Sequence, residues 1–379
     1  MALKPKKVMH IIIGLGVGGA ELMLKRLLIH SKNSDEVVHE VVSLTDLGLI
    51  GQDLKSAGFN VHTLNMKSAF DLPITYLKLR KVLKNFNPDV VQTWMYHADF
   101  MGGLAARSLG IKNVVWGIRT TDVSQNNAKV TVGLSKVCAR LSYTIPRTII
   151  CAADVSKEYH ASMGYDKDKM IVIPNGFDID SLYATHEDTE CLRKLMNLSK
   201  DDIVVGSVGR FSTEKNQRLF IDAANILIKK NPHLKFIMVG RDNDLKNEDL
   251  VAWIKAQGIM NNFRLLGQRD DVATCLSLMN VFCLHSKTEG FPNVLAEAMA
   301  MEIPCVATDV GDAKHIMGDF GTLVAKNDKN GLAQAIKDIV NTLSLDNLKK
   351  NEENNSRQYI IDNFSMDTVY AKYLCVWNN

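Results

Sequence analysis

The 379-residue sequence lacks the features that mark several classes of protein. Its longest uncharged run, Val272–Ser286, has 15 residues, whereas a spanning helix needs about 18–20, so no membrane crossing is expected. None of its seven cysteines forms a C-x-x-C pair, a pattern that favours reduced, buried thiols. A formal net charge of +3 is too small to indicate nucleic-acid binding.

Cysteine placement indicates the redox environment. The number of cysteines is odd, and several lie within apolar runs such as Val281–Leu284 and Pro304–Val306. Buried, reduced thiols of this kind are typical of cytoplasmic proteins. Three lysines near the N-terminus precede the uncharged stretch Val8–Ala20, which resembles a secretory signal, but its four glycines favour a buried strand followed by a turn.

Charge is distributed unevenly along the chain, whose length predicts two domains. Residues 1–178 contain 22 Lys and Arg against 15 Asp and Glu, and the remainder contains 23 against 27. A basic first half and an acidic second half suggest different partners, although scatter among solvated side chains is the plainer interpretation.

Short apolar runs alternate with amphipathic stretches in both halves, with a boundary near Asp178. The buried strands predicted from these runs are Val8–Ile13, Glu40–Leu44, Asp89–Thr93, Asn113–Trp116, Thr148–Cys151, Met170–Ile173, Ile203–Val208, Leu234–Val239, Phe263–Leu266, Val281–His285 and Pro304–Thr308. The predicted helices include Ala20–His30, Glu187–Met196, Glu214–Lys230, Glu248–Gln257, Val272–Met279, Pro292–Met301, Gly331–Leu343, Asn347–Ile361 and Met366–Trp377.

Strand–helix alternation predicts an α/β protein with two doubly wound parallel sheets. We expect a domain at residues 1–178, a second at 179–362, and a C-terminal helix at 363–379 that returns to the first domain. Ligands bind beyond the carboxyl ends of such strands, and the expected site is the cleft between the two sheets.

A glycine-rich turn follows the first predicted strand. The segment Gly14–Gly19 matches G-x-G-x-x-G, in which glycines let the backbone approach an anion. An NAD(P)-dependent oxidoreductase is therefore an alternative. The acidic ribose partner expected about 20 residues further on is missing, because Asp46 lies too far along the chain and in a loop.

The second half contains a basic cluster and an acidic, amide-rich cluster. Gly209, Arg210 and Lys215 lie between a strand and a helix, where two cations suit a pyrophosphate, although a solvated loop would give the same pattern. The second cluster offers carboxylates for sugar or ribose hydroxyls and backbone N–H groups for a phosphate. Its residues are Glu289, Gly290, Phe291, Pro292, Asn293, Val294, Leu295 and Glu297. Together the clusters describe a site for a nucleoside diphosphate that carries a sugar.

This pattern resembles family 4 of the retaining glycosyltransferases, which have the GT-B fold of two facing Rossmann-like domains. The resemblance implies transfer of a hexose or N-acetylhexosamine from a nucleotide sugar, UDP rather than GDP, to a glycan or lipid-linked acceptor in cell-surface polysaccharide synthesis. The motifs that carry it are Gly18-Gly-Ala-Glu21, Pro174-Asn-Gly176, Gly209-Arg-Phe211, the pair Glu289 and Glu297, and Asn363-Phe-Ser365.

The resemblance also implies individual roles. Arg210 and Lys215 would hold the pyrophosphate, Glu289 the donor sugar and Glu297 the ribose. The main chain from Gly290 to Leu295, together with Gly209 and, from the first domain, Gly16, Gly18 and Gly19, would complete the donor site. Retention by front-face attack would use the donor phosphate to accept the acceptor proton.

The sequence departs from the family at two places. Where many relatives have a histidine near the reacting sugar, this chain has Arg119, which cannot act as a base. Arg119 could bind phosphate or face solvent. Because the usual histidine is missing, a non-catalytic sugar-nucleotide-binding protein is an alternative. His97, at another strand end, is the nearest catalytic and acceptor-side substitute, although it could be structural. The second departure is Gly240–Asp244, which stands where relatives have a glycine-rich turn.

Two further expectations concern metals and membranes. D-x-D patterns, which can bind a metal in other glycosyltransferases, occur at Asp166, Asp178 and Asp242. Three occurrences in one chain show that the pattern is common and not specific for a metal site. We therefore expect no metal or other cofactor. Cations interspersed in an apolar stretch predict a peripheral contact with the cytoplasmic leaflet, with a charged core helix as the alternative. These cations are Lys129, Lys136, Arg140 and Arg147.

Overall fold

A computed structural model describes residues 4–32, 34–121, 129–346 and 355–379, with only the backbone described for residues 344–346. The chain divides into two α/β units. Unit 1 comprises Met1–Phe177 and Phe364–Asn379, and unit 2 comprises Asp178–Asn363.

Unit 1 contains a sheet of seven parallel strands in the order β3-β2-β1-β4-β5-β6-β7. The central strands are almost continuously buried, as a parallel sheet covered on both faces requires. Its strands are β1 (Lys6–Ile12), β2 (Val37–Ser43), β3 (Asn60–Thr63), β4 (Val90–Trp94), β5 (Val114–Ile118), β6 (Thr148–Cys151) and β7 (Met170–Val172). Six of these were predicted; β3 was missed.

Two helical layers cover this sheet. The helices of unit 1 are α1 (Gly19–Ser31), α2 (Gly48–Ser56), α3 (Leu72–Phe86), α4 (Tyr96–Ser108), α5 (Lys129–Leu141), α6 (Asp154–Ser162) and α15 (Met366–Asn378). One hydrophobic cluster includes residues of α1, α2 and α15, and the other includes residues of α3, α4 and α5 on the opposite face. Of the described helices, none is both long and apolar enough to span a bilayer.

The chain leaves and rejoins unit 1 at adjacent points. The Phe177 amide donates a hydrogen bond to the Phe364 carbonyl oxygen at 2.9 Å, and the Met366 amide donates to the Phe177 carbonyl oxygen at 2.9 Å. Helix α15 begins directly after this pairing, with Ser365 as its N-cap, and packs on α1.

Unit 2 contains six parallel strands in the order β10-β9-β8-β11-β12-β13. They are β8 (Ile203–Val208), β9 (Leu234–Val239), β10 (Phe263–Gly267), β11 (Val281–Leu284), β12 (Cys305–Thr308) and β13 (Gly321–Val324). The helices are α7 (His186–Leu195), α8 (Gln217–Ile228), α9 (Glu248–Ala256), α10 (Val272–Ser277), α11 (Asn293–Ala300), α12 (Ala313–Met317), α13 (Lys329–Asp346) and α14 (Ser356–Phe364). The predictions missed β13. The helix predicted at Asn347–Ile361 lies partly outside the described residues, and α14 begins at Ser356.

The core of unit 1 contains two histidines that must be neutral. The Trp94 indole donates to His10 Nδ1 at 3.3 Å, so His10 Nε2 donates to His39 Nδ1 at 2.9 Å. Burial lowers the pKa of His10 well below its usual value, with the neighbouring His39 adding to the effect, and burial lowers the pKa of His39 to about 4. The Trp377 ring packs edge-on against both imidazoles.

We predict that unit 1 loses stability as the pH falls from about 6.5 towards 4. In this window His10 and His39 are protonated in the unfolded chain but stay neutral in the folded core. Each histidine therefore lowers the free energy of unfolding by about 1.4 kcal/mol for each unit by which the pH falls. Urea unfolding followed by tryptophan fluorescence measures this loss, because three of the four tryptophans, Trp94, Trp116 and Trp377, lie in unit 1.

A His39→Gln variant should show a smaller pH slope than the wild type. The exposed His186 provides the matched control, and a His186→Gln variant should keep the wild-type slope. A wild-type unfolding free energy that does not change between pH 6.5 and 4 would contradict the neutral-pair assignment.

Candidate functional site

The carboxyl end of β8 leads into the basic cluster. The Gly209 amide donates to the Val239 carbonyl oxygen at 2.8 Å, which fixes the start of the loop beside β9. Gly240 has φ of 129°, and a Cβ atom there would overlap the Gly209 carbonyl oxygen. The loop at Gly240–Asp244 therefore still depends on a glycine. Arg210 is exposed at this edge, and its carbonyl oxygen accepts from Gln217 Nε2 at 2.8 Å.

The structure brings together two residues that are far apart in sequence. Lys215 Nζ lies 2.6 Å from Glu289 Oε1, and the side chains are 23% and 11% exposed, respectively. The Ser286 hydroxyl donates to the same carboxylate oxygen at 2.5 Å. The basic and acidic clusters thus form one partly buried polar site at the carboxyl ends of β8 and β11.

His285 holds the backbone of Lys215 and was not among the predicted site residues. Its Nδ1 donates to the Lys215 carbonyl oxygen at 2.6 Å, so its Nε2 accepts from the Ser207 hydroxyl at 2.6 Å. The imidazole stacks on Phe220, with 4.9 Å between ring centroids. Burial lowers its pKa to about 4, which keeps it neutral.

A further polar residue close to the pair was also missed. This residue is Thr308, whose hydroxyl donates to the Ser286 carbonyl oxygen at 2.7 Å. The available sequence signal was a polar side chain at or next to the end of a predicted strand. Ser207 is the second-last residue of β8, Thr308 is the last residue of β12, and His285 directly follows β11.

The loop before α11 is held by backbone contacts. Gly311 has φ of 54°, and a Cβ atom there would overlap the carbonyl oxygens of Glu289 and Gly290. The Asp312 amide donates to the Gly290 carbonyl oxygen at 2.9 Å. These contacts fix the segment Gly290–Pro292, after which α11 begins and carries Glu297 as its fifth residue.

Leu295, one of the predicted main-chain donors, uses its amide within the chain. The amide donates to the Pro292 carbonyl oxygen at 3.0 Å, and the Leu295 side chain is fully buried. A tight first turn of α11 accounts for this bond, and the role of the amide at a phosphate stays a prediction. Asn293 and Val294 are both partly exposed at the start of the helix.

In unit 1, the glycine-rich turn follows β1 and leads into α1. Gly18 is the N-cap of α1 and Gly19 its first residue. The Glu21 carboxylate lies over Gly18, where a Cβ atom would collide with it, and burial raises the pKa of Glu21. A Cβ atom at Gly16 would meet open space.

The two unit 1 residues proposed for the acceptor side have different surroundings. His97 is the second residue of α4 and partly exposed, and burial lowers its pKa. Arg119 does not face solvent freely: its guanidinium donates to the Ile173 carbonyl oxygen at 3.1 Å and to the Tyr373 hydroxyl. It also lies over the Trp94 ring, 5.3 Å from the centroid.

The expected membrane helix and the D-x-D patterns can also be placed. Of the four cations in the predicted membrane-contact stretch, Arg147 lies outside α5, and its guanidinium donates to the Val376 carbonyl oxygen. Asp166 and Asp178 accept hydrogen bonds from nearby backbone amides in turns. Among the described residues, no three His, Cys, Asp or Glu side chains are grouped as metal ligands.

Comparison with protein families gives two matches. The family model described as "Glycosyltransferase Family 4" matches residues 17–181, and the model described as "Glycosyl transferases group 1" matches residues 202–342. An Escherichia coli UDP-Gal:alpha-D-GlcNAc-diphosphoundecaprenol alpha-1,3-galactosyltransferase is 27% identical over 76% of this chain and 75% of its own. The capsular polysaccharide biosynthesis glycosyltransferase CapH of Staphylococcus aureus is 27% identical over 77% of this chain and 78% of its own.

Among solved structures, HepE of Anabaena in complex with UDP superimposes with a TM-score of 0.81. It is 22% identical and the alignment covers 98% of this chain and 99% of HepE. This likeness shows the fold, and the family matches decide against the oxidoreductase alternative. The chain therefore belongs to the group 1, family 4 glycosyltransferases and has the GT-B fold.

Proposed function

We propose that the protein transfers a hexose or N-acetylhexosamine from a UDP-sugar to a lipid-linked glycan, with retention of anomeric configuration, in cell-surface polysaccharide synthesis. The observation that carries the proposal is the Lys215–Glu289 pair at the carboxyl edge of the unit 2 sheet. The named activity of the Escherichia coli relative and the UDP bound to HepE support the choice of donor and acceptor.

Lys215 and Arg210 supply positive charge for the pyrophosphate. A Cβ atom added at Gly209 would be in ordinary van der Waals contact with the aliphatic part of Lys215. The Lys215 side chain therefore packs over Gly209, which holds its ammonium group at the strand end. Arg210 is exposed and can fold onto a bound anion. These cations stabilise the charge that develops on the leaving UDP, without a metal or other cofactor.

In this proposal Glu289 binds the donor sugar and does not attack it. Its Oε1 already accepts from Lys215 and Ser286, and a carboxylate so neutralised is a weak nucleophile. Front-face attack fits this arrangement: the acceptor oxygen bonds to the anomeric carbon as the bond to the UDP oxygen breaks, and the donor phosphate takes the acceptor proton. Glu297 accepts hydrogen bonds from the ribose hydroxyls.

Unit 1 contributes the remaining groups of the proposal. The turn containing Gly16, Gly18 and Gly19 contacts the donor through its backbone, and His97 and Arg119 serve the acceptor. A peripheral contact with an anionic membrane brings the enzyme to its lipid-linked acceptor.

Removing either cation should reduce transfer. We predict that Lys215→Ala or Arg210→Ala lowers kcat/KM for the UDP-sugar by about 10²–10³-fold, as for other groups that stabilise charge in a transition state. Initial rates of UDP release measure the effect. Lys229→Ala, at an exposed position just after α8, is the matched control and should leave kcat/KM unchanged.

Replacing the carboxylate tests the role of Glu289. We predict that Glu289→Gln abolishes measurable transfer but retains UDP binding, because the amide keeps the shape of the side chain and loses its charge. Transfer at the wild-type rate would exclude the assigned role. No transfer by the wild-type protein with any UDP- or GDP-sugar would instead support the non-catalytic alternative.

Donor class and stereochemistry can be measured directly. UDP should raise the unfolding temperature of the protein, whereas NAD should leave it unchanged. NMR spectroscopy of the first product formed should show the anomeric configuration of the donor, and activity should persist in EDTA. An inverted product would contradict the front-face mechanism and leave the donor assignment intact.

A further inference from the structure

Exposed apolar side chains are concentrated at one place in unit 1. Phe70 is 96% exposed, and Leu72, Ile74 and Leu77 are 39%, 55% and 61% exposed. All four lie within eight residues, at the start of α3 and the turn before it. Large apolar residues clustered in this way on a soluble surface mark an interaction site.

Local structure holds Phe70 in this exposed position. Residues Ala69–Asp71 form a single 3₁₀ turn closed by a capping box between Ser68 and Asp71. The Asp71 carboxylate accepts from the amides of Lys67 and Ser68, both at 2.9 Å. Phe70 therefore projects from a hydrogen-bonded turn.

The outer face of α3 continues this apolar patch with positive charge. Leu79, Leu83 and Phe86 fill the core from the inner face. Outside, Ile74 and Leu77 are followed at helical spacing by the exposed Lys81 and Lys84. From 67 to 86 the sequence contains five Lys and Arg and one acid, Asp71, which the capping box already uses.

Helix α5, in the same layer as α3, also exposes apolar and basic side chains. Helix α4 contacts both α3 and α5, and α5 exposes Val130 and Val137 together with Lys136 and Arg140. A basic, apolar face built from two helices of one layer complements an anionic bilayer surface. A stable protein partner would require about 20–30 residues a side, far more than the α3 patch supplies.

We propose that the α3 patch, defined as Phe70, Ile74 and Leu77 with Lys81 and Lys84, docks the enzyme on an anionic phospholipid bilayer, with Phe70 inserted among the acyl chains. This inference rests on the membrane contact in the proposed function and locates it. The α3 patch supplies the insertion, and the cations of α5 supply further attraction to headgroups.

Vesicle binding tests the assignment. We expect the wild-type protein to sediment with phosphatidylcholine–phosphatidylglycerol vesicles, and Phe70→Ser/Ile74→Ser to lower its partition coefficient about tenfold or more. Lys81→Glu/Lys84→Glu should cause a loss of similar size, because each cation near an anionic surface contributes a factor of about five. The matched control is Tyr183→Ser/Leu195→Ser, at residues 71% and 66% exposed in unit 2, and it should bind as the wild type does.

A Phe70→Trp variant measures insertion independently. Quenching of its added fluorescence by brominated lipids is expected, and the absence of extra quenching relative to the wild type would overturn the insertion of Phe70. Unchanged vesicle binding by the Ser variants would overturn the whole assignment. So would light scattering that shows a wild-type dimer converted to a monomer by the same substitutions.

Transfer to a water-soluble acceptor separates this proposal from the proposed function. We expect the α3 variants to retain wild-type rates with such an acceptor and to lose activity only with acceptor embedded in vesicles. If the wild type binds vesicles through α3 but transfers no sugar, the proposed function fails and the docking surface stands. Equal loss of rate with both acceptors would overturn the docking role.

Discussion

The ion pair between Lys215 and Glu289 is the contact on which the geometry of the unit 2 site depends. A partly buried pair of charges is favourable only when further hydrogen bonds satisfy both partners. Here Ser286 donates to the carboxylate, and His285 holds the Lys215 backbone from the carboxyl end of β11. Ser207 in β8 donates to His285, and Thr308 in β12 donates to the Ser286 carbonyl oxygen. Three adjacent strands therefore fix one ion pair, which is already formed before a nucleotide sugar binds.

Most of the fold could be predicted because buried parallel strands are continuous apolar runs. The two missed strands, Asn60–Thr63 and Gly321–Val324, lie at the edges of their sheets and are only partly covered, so their sequences lack that signal. The pairing of Lys215 with Glu289 was also beyond sequence analysis, since 74 residues separate them. The internal use of the Leu295 amide depends on the tightness of one helical turn, which residue types alone do not specify.

Arg119 illustrates how a departure from a family pattern can acquire a structural use. The family resemblance implies a histidine at this position, whereas here a guanidinium donates to the Ile173 carbonyl oxygen and the Tyr373 hydroxyl. The guanidinium group also lies over the Trp94 ring, and a lysine lacks its planar array of donors. Arg119 thereby links the end of β5 to the segment after β7 and to helix α15, and a guanidinium cannot act as a base.

The pairing of Phe177 with Phe364 and Met366 makes unit 2 an insertion within unit 1. Helix α15 completes the unit 1 core, where Trp377 is fully buried beside His10 and His39. On the ribosome, however, α15 emerges only after all of Asp178–Asn363 has been synthesised. All of the unit 2 sequence is therefore synthesised before unit 1 is complete. Until α15 is translated, the hydrophobic face of unit 1 that α15 covers stays exposed, so unit 1 cannot finish folding.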